Sequence, residues 1–169
     1  MFKKYILLCL MFFTSSILLT TSVFGFSIAE LKGKINLLPG WTWNESGGRS
    51  NIFMMDANKA IDRVWIRGEL YTTSKSAKKF LEDMRQGVLK NPGYEHQGSS
   101  LSAVETFTMR EKTWYNFTMQ DKNGVRQETC ARNVAGQQLM VITYTAATVA
   151  YYSSYHFDFA ALLYQASGF

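Results

Sequence analysis

Few side chains of this 169-residue chain could do catalytic or metal chemistry, since it holds two histidines and two cysteines. His156 and Asp158 stand two positions apart in a segment whose pattern predicts a helix. Residues two apart point about 200° from each other round a helix axis, so this pair cannot easily share one ion. Structural metal sites need three or four ligands. We therefore predict no metal site, a core-facing or capping role for His156, and an exposed loop position for His96.

A cysteine nucleophile needs a base beside it, and nothing in the sequence places His96 or His156 next to Cys130. Cys130 lies in a predicted strand and is interpreted as a buried thiol, with an intermolecular disulfide as the alternative. Glu82 and Asp83 lie on a lysine-rich amphipathic helix, where a solvated face explains them. The chain has no phosphate-binding glycine loop and no GxSxG or HExxH motif. We predict no catalytic residue, no cofactor and no enzymatic activity; a hydrolase with an unrecognised site is a weaker alternative.

The N-terminus has the regions of an export signal. Two lysines precede an unbroken apolar run at residues 5–13, and Val23-Phe24-Gly25 fits the small-residue rule for cleavage after Gly25. An uncleaved membrane anchor is the alternative, because the apolar stretch is long enough to span a bilayer. We predict a signal peptide at residues 1–25 and a single domain at residues 26–169. The protein is expected to be exported, and to be periplasmic, associated with the outer envelope, or secreted.

Charge is distributed unevenly along the chain. Residues 26–169 carry 16 basic and 13 acidic side chains, a net charge of +3. That mild excess argues against nucleic-acid binding. Residues 133–169 contain a single charged side chain, Asp158. A stretch so poor in charge is typical of a buried segment or of a protein interface.

The first half of the chain after residue 25 predicts strands followed by a helix. Apolar and polar residues alternate from Asp62 to Thr72, which indicates a half-buried strand. Apolar residues at helical spacing then follow Ser74 or Ser76, either of which can cap a helix. Asn91-Pro92-Gly93 ends this helix, because proline cannot continue it.

The second half predicts a β meander and a closing helix. The predicted strands of the meander are 103–109, 113–120, 125–134 and 139–145. Asn123-Gly124 is a hairpin signal that favours positive φ at both residues. Residues 139–145 are dense in apolar residues, which predicts a central strand covered on both faces. Residues 147–166 have two apolar stripes, one of them including Val149, with Phe157 and Tyr164 outside both, and are expected to be buried on more than one side.

These elements predict an α+β fold. We expect an antiparallel sheet of about six strands, packed in an α/β sandwich with helices that are segregated to a sheet face. Three groups of residues, in this order and spacing, resemble motifs of a known superfamily. The groups are Leu38-Pro39-Gly40-Trp41; Ser74-Lys75-Ser76-Ala77-Lys78-Lys79-Phe80; and residues 138–146 with Phe157-Asp158-Phe159 and Ala166-Ser167-Gly168-Phe169.

In these groups the chain resembles the PsbP-like superfamily over most of residues 36–169. That superfamily includes the PsbP extrinsic proteins of photosystem II, the Ran-binding Mog proteins, and bacterial DcrB-like proteins with related secretion chaperones. The chain departs from it at Arg110-Glu111-Lys112, where the family often has a glycine-containing turn. Because its members mostly bind proteins and assemblies, the resemblance implies an accessory role.

Four aromatic residues are the predicted partner-binding residues. Trp41 and Trp43 point to the same face of a strand and precede a loop that contains Arg49. Tyr151 and Tyr155 lie in the charge-poor closing helix and combine an apolar ring with a polar hydroxyl. For both pairs the alternative is packing within the fold.

Two functions are compatible with the sequence. The first is a non-catalytic accessory or structural protein that binds a protein partner or a larger envelope assembly, such as a secretion machine, in association with a membrane and without nucleic acid. The second is an exported protein that binds a small apolar ligand or lipid, because its many Phe, Tyr and Met side chains can line an apolar pocket.

Overall fold

A computed structural model of the chain describes residues 26–44, 51–90, 99–135 and 137–169. The described residues form three α-helices, a short 3₁₀ helix at Asn58–Ala60 and eight β-strands. The helices are α1 (Ile28–Lys34), α2 (Ala77–Leu89) and α3 (Val149–Ala166). The strands are β1 (Trp41–Asn44), β2 (Ile52–Ala57), β3 (Val64–Thr72), β4 (Ser100–Leu101), β5 (Glu105–Met109), β6 (Lys112–Gln120), β7 (Arg126–Asn133) and β8 (Gln138–Ala146).

The eight described strands form one antiparallel sheet. Its order is β1-β2-β3-β8-β7-β6-β4, and β5 also pairs with β6. The predicted α+β fold with a large antiparallel sheet is therefore confirmed, but the expected number of about six strands is wrong. The undercount arises at the sheet edges, where β1 has four residues and β4 has two. Strands that short establish no alternating pattern in the sequence.

The central strand β8 divides the interior into two apolar cores. Met140, Ile142 and Tyr144 belong to the core beneath α1 and α3, whereas Leu139 and Val141 belong to the core beneath α2. This alternation confirms that β8 is covered on both faces. It also means that the helices lie on both sides of the sheet, so the expected segregation to one face is wrong. A strand with apolar residues at successive positions needs cover on each side.

Helix α2 begins where the capping signal predicts. The Ser76 hydroxyl accepts a hydrogen bond of 3.2 Å from the Lys79 N–H. The side-chain oxygen of Asn133 accepts one of 2.8 Å from the Ala77 N–H, which ties the first turn to β7. Ala77 and Leu81 are completely buried. The end predicted at Asn91-Pro92-Gly93 lies outside the described residues.

The C-terminal end of α3 is held by side chains from β6 and β7. Arg132 is 3% exposed and donates hydrogen bonds of 3.2 and 2.6 Å to the carbonyl oxygens of Ala166 and Phe169. The Trp114 indole N–H donates to the Ser167 hydroxyl at 2.8 Å. Burial lowers the pKa of Arg132. The bond to Ala166 satisfies a carbonyl that α3 cannot pair internally, and the other two anchor the residues that follow the helix.

The turn between β6 and β7 differs from the expected hairpin. Gly124 has a φ of +83°, but Asn123 does not have the positive φ that the Asn-Gly signal predicts. The Asp121 carboxylate accepts hydrogen bonds of 2.8 Å from the Asn123 N–H and 2.9 Å from the Val125 N–H. Aspartate stabilises turns through such side-chain contacts with the backbone, and here one left-handed residue suffices.

The turn between β5 and β6 places two non-glycine residues in the left-handed region. Arg110 has a φ of 47° and Glu111 a φ of 63°, and Met109 pairs directly with Lys112 across them. Left-handed backbone costs a residue with a Cβ atom about 1–2 kcal/mol.

Glu111→Gly should therefore raise the free energy of unfolding by about 0.5–1 kcal/mol, because glycine removes the steric cost and adds a smaller entropic one. Urea denaturation measures the change. Glu111→Ala is the matched control, since it removes the same carboxylate but keeps the Cβ atom. Equal stabilisation by both variants would contradict the explanation.

Candidate functional site

A buried carboxylate lies between the sheet and α3. Glu128 is 7% exposed. Its Oε1 accepts a hydrogen bond of 2.9 Å from the Asn116 amide, and the Cys130 thiol lies 3.7 Å away. Its Oε2 accepts one of 2.6 Å from the Tyr152 hydroxyl and pairs with Nε2 of His156 at 2.9 Å. Four donors thus surround one carboxylate, as a buried charge requires.

Strand and helix periodicities bring these residues together. Glu128 and Cys130 are two apart in β7, so both side chains face α3. Asn116 of β6 pairs directly with Cys130 across the sheet. Tyr152 and His156 are one helical turn apart on α3 and therefore lie on its same side. The interpretation of His156 as a hydrogen-bonded residue on the core side agrees with this geometry, whereas His96 lies outside the described residues.

The hydrogen bonds determine the charge state of the Glu128 carboxylate. Burial by itself would raise the pKa of Glu128, but the hydrogen bonds from Tyr152, His156 and Asn116 outweigh it and lower that pKa. Burial, and then the hydrogen bond to Glu128, raise the pKa of Tyr152. The phenol thus remains a donor to an ionised carboxylate.

The Cys130 thiol is unsuited to nucleophilic chemistry. Its side chain is completely buried, which confirms the prediction of a buried thiol. Burial, followed by the charge of Glu128, raises the pKa of Cys130 well above its usual range. The thiolate is the reactive form of cysteine, so a raised pKa suppresses the reaction.

The ionised carboxylate also fixes the tautomer of the His156 ring. A carboxylate only accepts hydrogen bonds, so Nε2 of His156 must carry the proton of this contact. In a neutral ring Nδ1 is then an acceptor, and it has no hydrogen-bond partner among the described residues. The His156 side chain is 45% exposed. It therefore offers an accessible acceptor beside a buried charge.

A cleft opens above the Glu128–His156 pair. It has a volume of about 250 Å³ and is lined by residues of β5, β6, β7 and α3. Its apolar walls are Phe107, Met109, Phe159 and Leu163. Small-ligand sites combine such walls with a few converging polar groups. Hence this cleft is the candidate binding site.

Two larger concavities lie elsewhere and lack this combination. One, of about 480 Å³, is lined mainly by charged and polar side chains of α2, including Lys78, Glu82 and Arg85. The other, of about 430 Å³, lies over the sheet beside Met84 and is bordered by several threonines. The second is lined by the Glu69 carboxylate, but that group is already paired with the Arg67 guanidinium, which also lines the space.

Trp41, the first predicted partner-binding residue, is part of the core. It is 4% exposed, and its indole N–H donates a hydrogen bond of 2.9 Å to the Asp158 carboxylate. Its ring packs edge-on against Tyr155 with 6.0 Å between centroids. Trp41 thus joins β1 to α3 and leaves little surface for a partner.

The other three predicted partner-binding residues are half-buried. Trp43 packs edge-on against Phe53, and the Lys32 ammonium lies 4.8 Å from its ring centroid. Tyr151 and Tyr155 lie one turn apart along the flank of α3. The structure thus brings Tyr155 next to Trp41, and partner binding by the four residues stays a prediction.

The outer face of α3 carries large apolar side chains in contact with solvent. Phe157 is 82% exposed, Tyr164 55% and Val149 42%. At about 100° per residue, Phe157 and Tyr164 lie about 20° apart round the helix axis. The expectation that α3 is buried on more than one side is wrong, as is the placement of Val149 in a core stripe. The positions of Phe157 and Tyr164 outside both stripes were the sequence signal for this face.

No charged residue lies on the outer face of α3. We define this face by its exposed and half-exposed residues: Val149, Ala150, Ser153, Ser154, Phe157, Ala161 and Tyr164. Apart from the two aromatic rings, most of these side chains are small. Arg110, from the turn between β5 and β6, lies against this face, with its guanidinium 4.9 Å from the Tyr164 ring centroid.

Comparison with known proteins adds no relative, since no family model and no curated protein matches the chain. Within the described ranges, no three His, Cys, Asp or Glu side chains come together as a metal-binding group. None of the helices in those ranges is both long and apolar enough to cross a membrane. The predicted signal peptide lies outside the described residues.

Tyr152→Phe should lower the free energy of unfolding by about 1.5–3 kcal/mol, because it removes a hydrogen bond to a buried charge. Urea denaturation at neutral pH measures the loss. Tyr151→Phe is the matched control, since it removes the neighbouring hydroxyl, which has no hydrogen bond to Glu128. A loss of the same size in both variants would contradict the assigned role of Tyr152.

The stability of the protein should also fall in acid through Glu128. Because the pKa of Glu128 is lower in the folded than in the unfolded chain, its ionised form stabilises the fold above the unfolded value of about 4.3. This contribution is lost as the pH falls through the folded pKa. We expect Glu128→Gln to flatten the acid limb of stability against pH, and the exposed Glu111→Gln to leave it unchanged. An unaltered acid limb in Glu128→Gln would refute the role of this carboxylate.

Proposed function

We propose that the protein is an exported, non-catalytic accessory protein that binds a protein partner in an envelope assembly through the outer face of α3. The observation that carries this proposal is Phe157, which is 82% exposed on a helix face without charge. Large exposed apolar side chains that cluster on one surface mark interaction sites. The export-like N-terminus supports a periplasmic, outer-envelope or secreted location.

The chemistry of this face fits a helix of the partner. The small side chains Ala150, Ser153 and Ala161 allow a second helix to approach to about 8–10 Å between axes. Phe157 and Tyr164 supply aromatic anchors of the kind that dominate binding energy at interfaces. The partner surface should therefore be apolar and uncharged where it meets the middle of α3.

The half-buried side chains of Trp43, Tyr151 and Tyr155 form a second candidate contact surface. Tyr151 and Tyr155 lie on the flank of α3, with Tyr155 against Trp41 of β1. Trp43 lies in β1 against Phe53. Because each of them already packs within the fold, each offers less free area than Phe157. We propose them as a secondary contact, and Trp41 as the residue that supports them from within the core.

The fold is proposed to be of the PsbP type. Its support is the order of elements, the Ser76 cap at the start of α2, and the two-residue turn at Arg110-Glu111. That turn has the left-handed backbone that a glycine would favour, so the departure from the family sequence preserves a turn of compatible shape. An accessory role in an assembly is what this resemblance implies.

A second candidate function is the binding of a small ligand. The cleft above Glu128 favours it, because apolar walls there meet a buried carboxylate and an accessible imidazole nitrogen. The two functions use different surfaces of α3 and are therefore separable by mutation.

Phe157→Ala and Tyr164→Ala should each weaken partner binding by about 30-fold, and together by up to about 1,000-fold, because aromatic anchors contribute about 2 kcal/mol or more each at interfaces. The measurement is the native size of the tagged protein after gentle solubilisation of source membranes. We expect the unaltered protein to migrate with a large assembly and the double variant to migrate alone.

Ile61→Ala is the matched control, since Ile61 is 58% exposed and lies outside α3. A photoreactive amino acid at position 157, compared with one at position 61, would identify the partner by crosslinking. Free migration of the unaltered protein would overturn the accessory function. The double variant could keep the complex while a variant with alanine at Trp43, Tyr151 and Tyr155 loses it. That result would place the contact on the secondary surface instead.

A further inference from the structure

We propose that the Glu128 cleft binds a small amphipathic amine, with its apolar part between the walls of the cleft and its ammonium group at the acidic end. The inference rests on the second candidate function, ligand binding, and names the class of ligand. It uses the side of α3 that faces the sheet, not the outer face proposed to bind a partner.

The polar groups of the cleft are chiefly hydrogen-bond acceptors. Among the described residues, its lining includes the carboxylates of Glu105 and Glu128 and no Lys or Arg. In the neutral ring, His156 donates its Nε2 proton to Glu128 and presents Nδ1 as an acceptor. The Asn116 amide already donates to Glu128 at 2.9 Å. A ligand with N–H donors and a positive charge complements these acceptors. A ligand carboxylate is instead repelled by the negative charges of Glu105 and Glu128.

The acidic end of the cleft is accessible from solvent. Glu105 is an exposed residue of the short strand β5, and the His156 side chain is 45% exposed. Glu128 lies behind them with both oxygens hydrogen-bonded to the protein. A bound ammonium group would therefore contact Glu105 and His156 directly and gain longer-range attraction from the ionised Glu128.

The apolar walls limit the size of the ligand. Phe107 and Met109 of β5 face Phe159 and Leu163 of α3 across the cleft. The volume of about 250 Å³ exceeds that of an engineered cavity of about 150 Å³ that binds benzene. One aromatic ring with a short aminoalkyl chain fits this space. Stacking of Phe107 on the buried Trp114, with 6.4 Å between ring centroids, keeps that wall in place.

Titration calorimetry of the purified full chain at about pH 8 tests the proposal. At that pH an ordinary imidazole is neutral. The probes are 2-phenylethylamine, the neutral 2-phenylethanol and the anionic phenylacetate, which share a phenyl ring and differ in the polar group. We expect the amine to bind about tenfold more tightly than the alcohol, and phenylacetate to bind most weakly.

Three variants locate the site without altering the Glu128 hydrogen bonds. Glu105→Gln should weaken amine binding about threefold and leave the binding of the alcohol unchanged, as expected for one exposed charge. Ala160→Phe places a ring in the cleft and should abolish binding of every probe. Ala161→Phe is the matched control, because Ala161 belongs to the outer face and does not line the cleft.

Each contrary result has a distinct meaning. Equal binding of amine and alcohol, or tightest binding of phenylacetate, would overturn the amine class while ligand binding itself stands. Undiminished amine binding by Ala160→Phe would overturn the assignment to this cleft. No binding of any probe at millimolar concentration would overturn both the inference and the second candidate function.

Discussion

The burial of the Glu128 carboxylate is the constraint on which the placement of α3 depends. A buried charge costs several kcal/mol unless hydrogen-bond donors surround it. Here two of the donors, Tyr152 and His156, come from α3 itself. The rotation of the helix about its axis is therefore fixed: the residues that reach Glu128 must face the sheet. Phe157 follows His156 by one position, about 100° round the axis, and is directed to solvent. The same contact thus builds the cleft and exposes the outer face.

Only one of the last 37 residues, Asp158, is charged, and it does not lie on the outer face of α3. Asp158 accepts the hydrogen bond of the Trp41 indole and so belongs to the junction between α3 and β1. Trp41 was a reasonable candidate for partner binding, because tryptophan dominates both protein cores and interface hot spots. Nothing local in Trp41-Thr42-Trp43 distinguishes these roles. The distinction depends on Asp158, 117 positions away in the chain.

The features of the fold that could be predicted depend on residues close together in the sequence. The alternation in β3, the serine cap of α2 and the apolar run of β8 each have a short-range physical cause. The two strands were predicted correctly, and Ser76 is one of the two caps predicted for α2. The two apolar cores could not be predicted from α3 alone, because its uncharged residues leave no polar side to orient it. The burial of Glu128 could not be predicted either, since a carboxylate in a strand normally indicates the solvent face. Its donors lie 12 positions back in the chain at Asn116 and 24 and 28 positions ahead on α3.

The position of Cys130 has a consequence for how opening of this structure can be observed. The thiol is fully buried against the Glu128 carboxylate and is the sole cysteine in residues 26–169. A thiol reagent can reach it only when α3 lifts from the sheet or the whole chain unfolds. At a reagent concentration where labelling outpaces reclosing, the rate of covalent labelling therefore reports the frequency of that opening, without any introduced probe. While α3 stays packed on the sheet, the buried thiol also resists intermolecular disulfide formation. The rate of oxidative crosslinking is therefore limited by how often α3 opens.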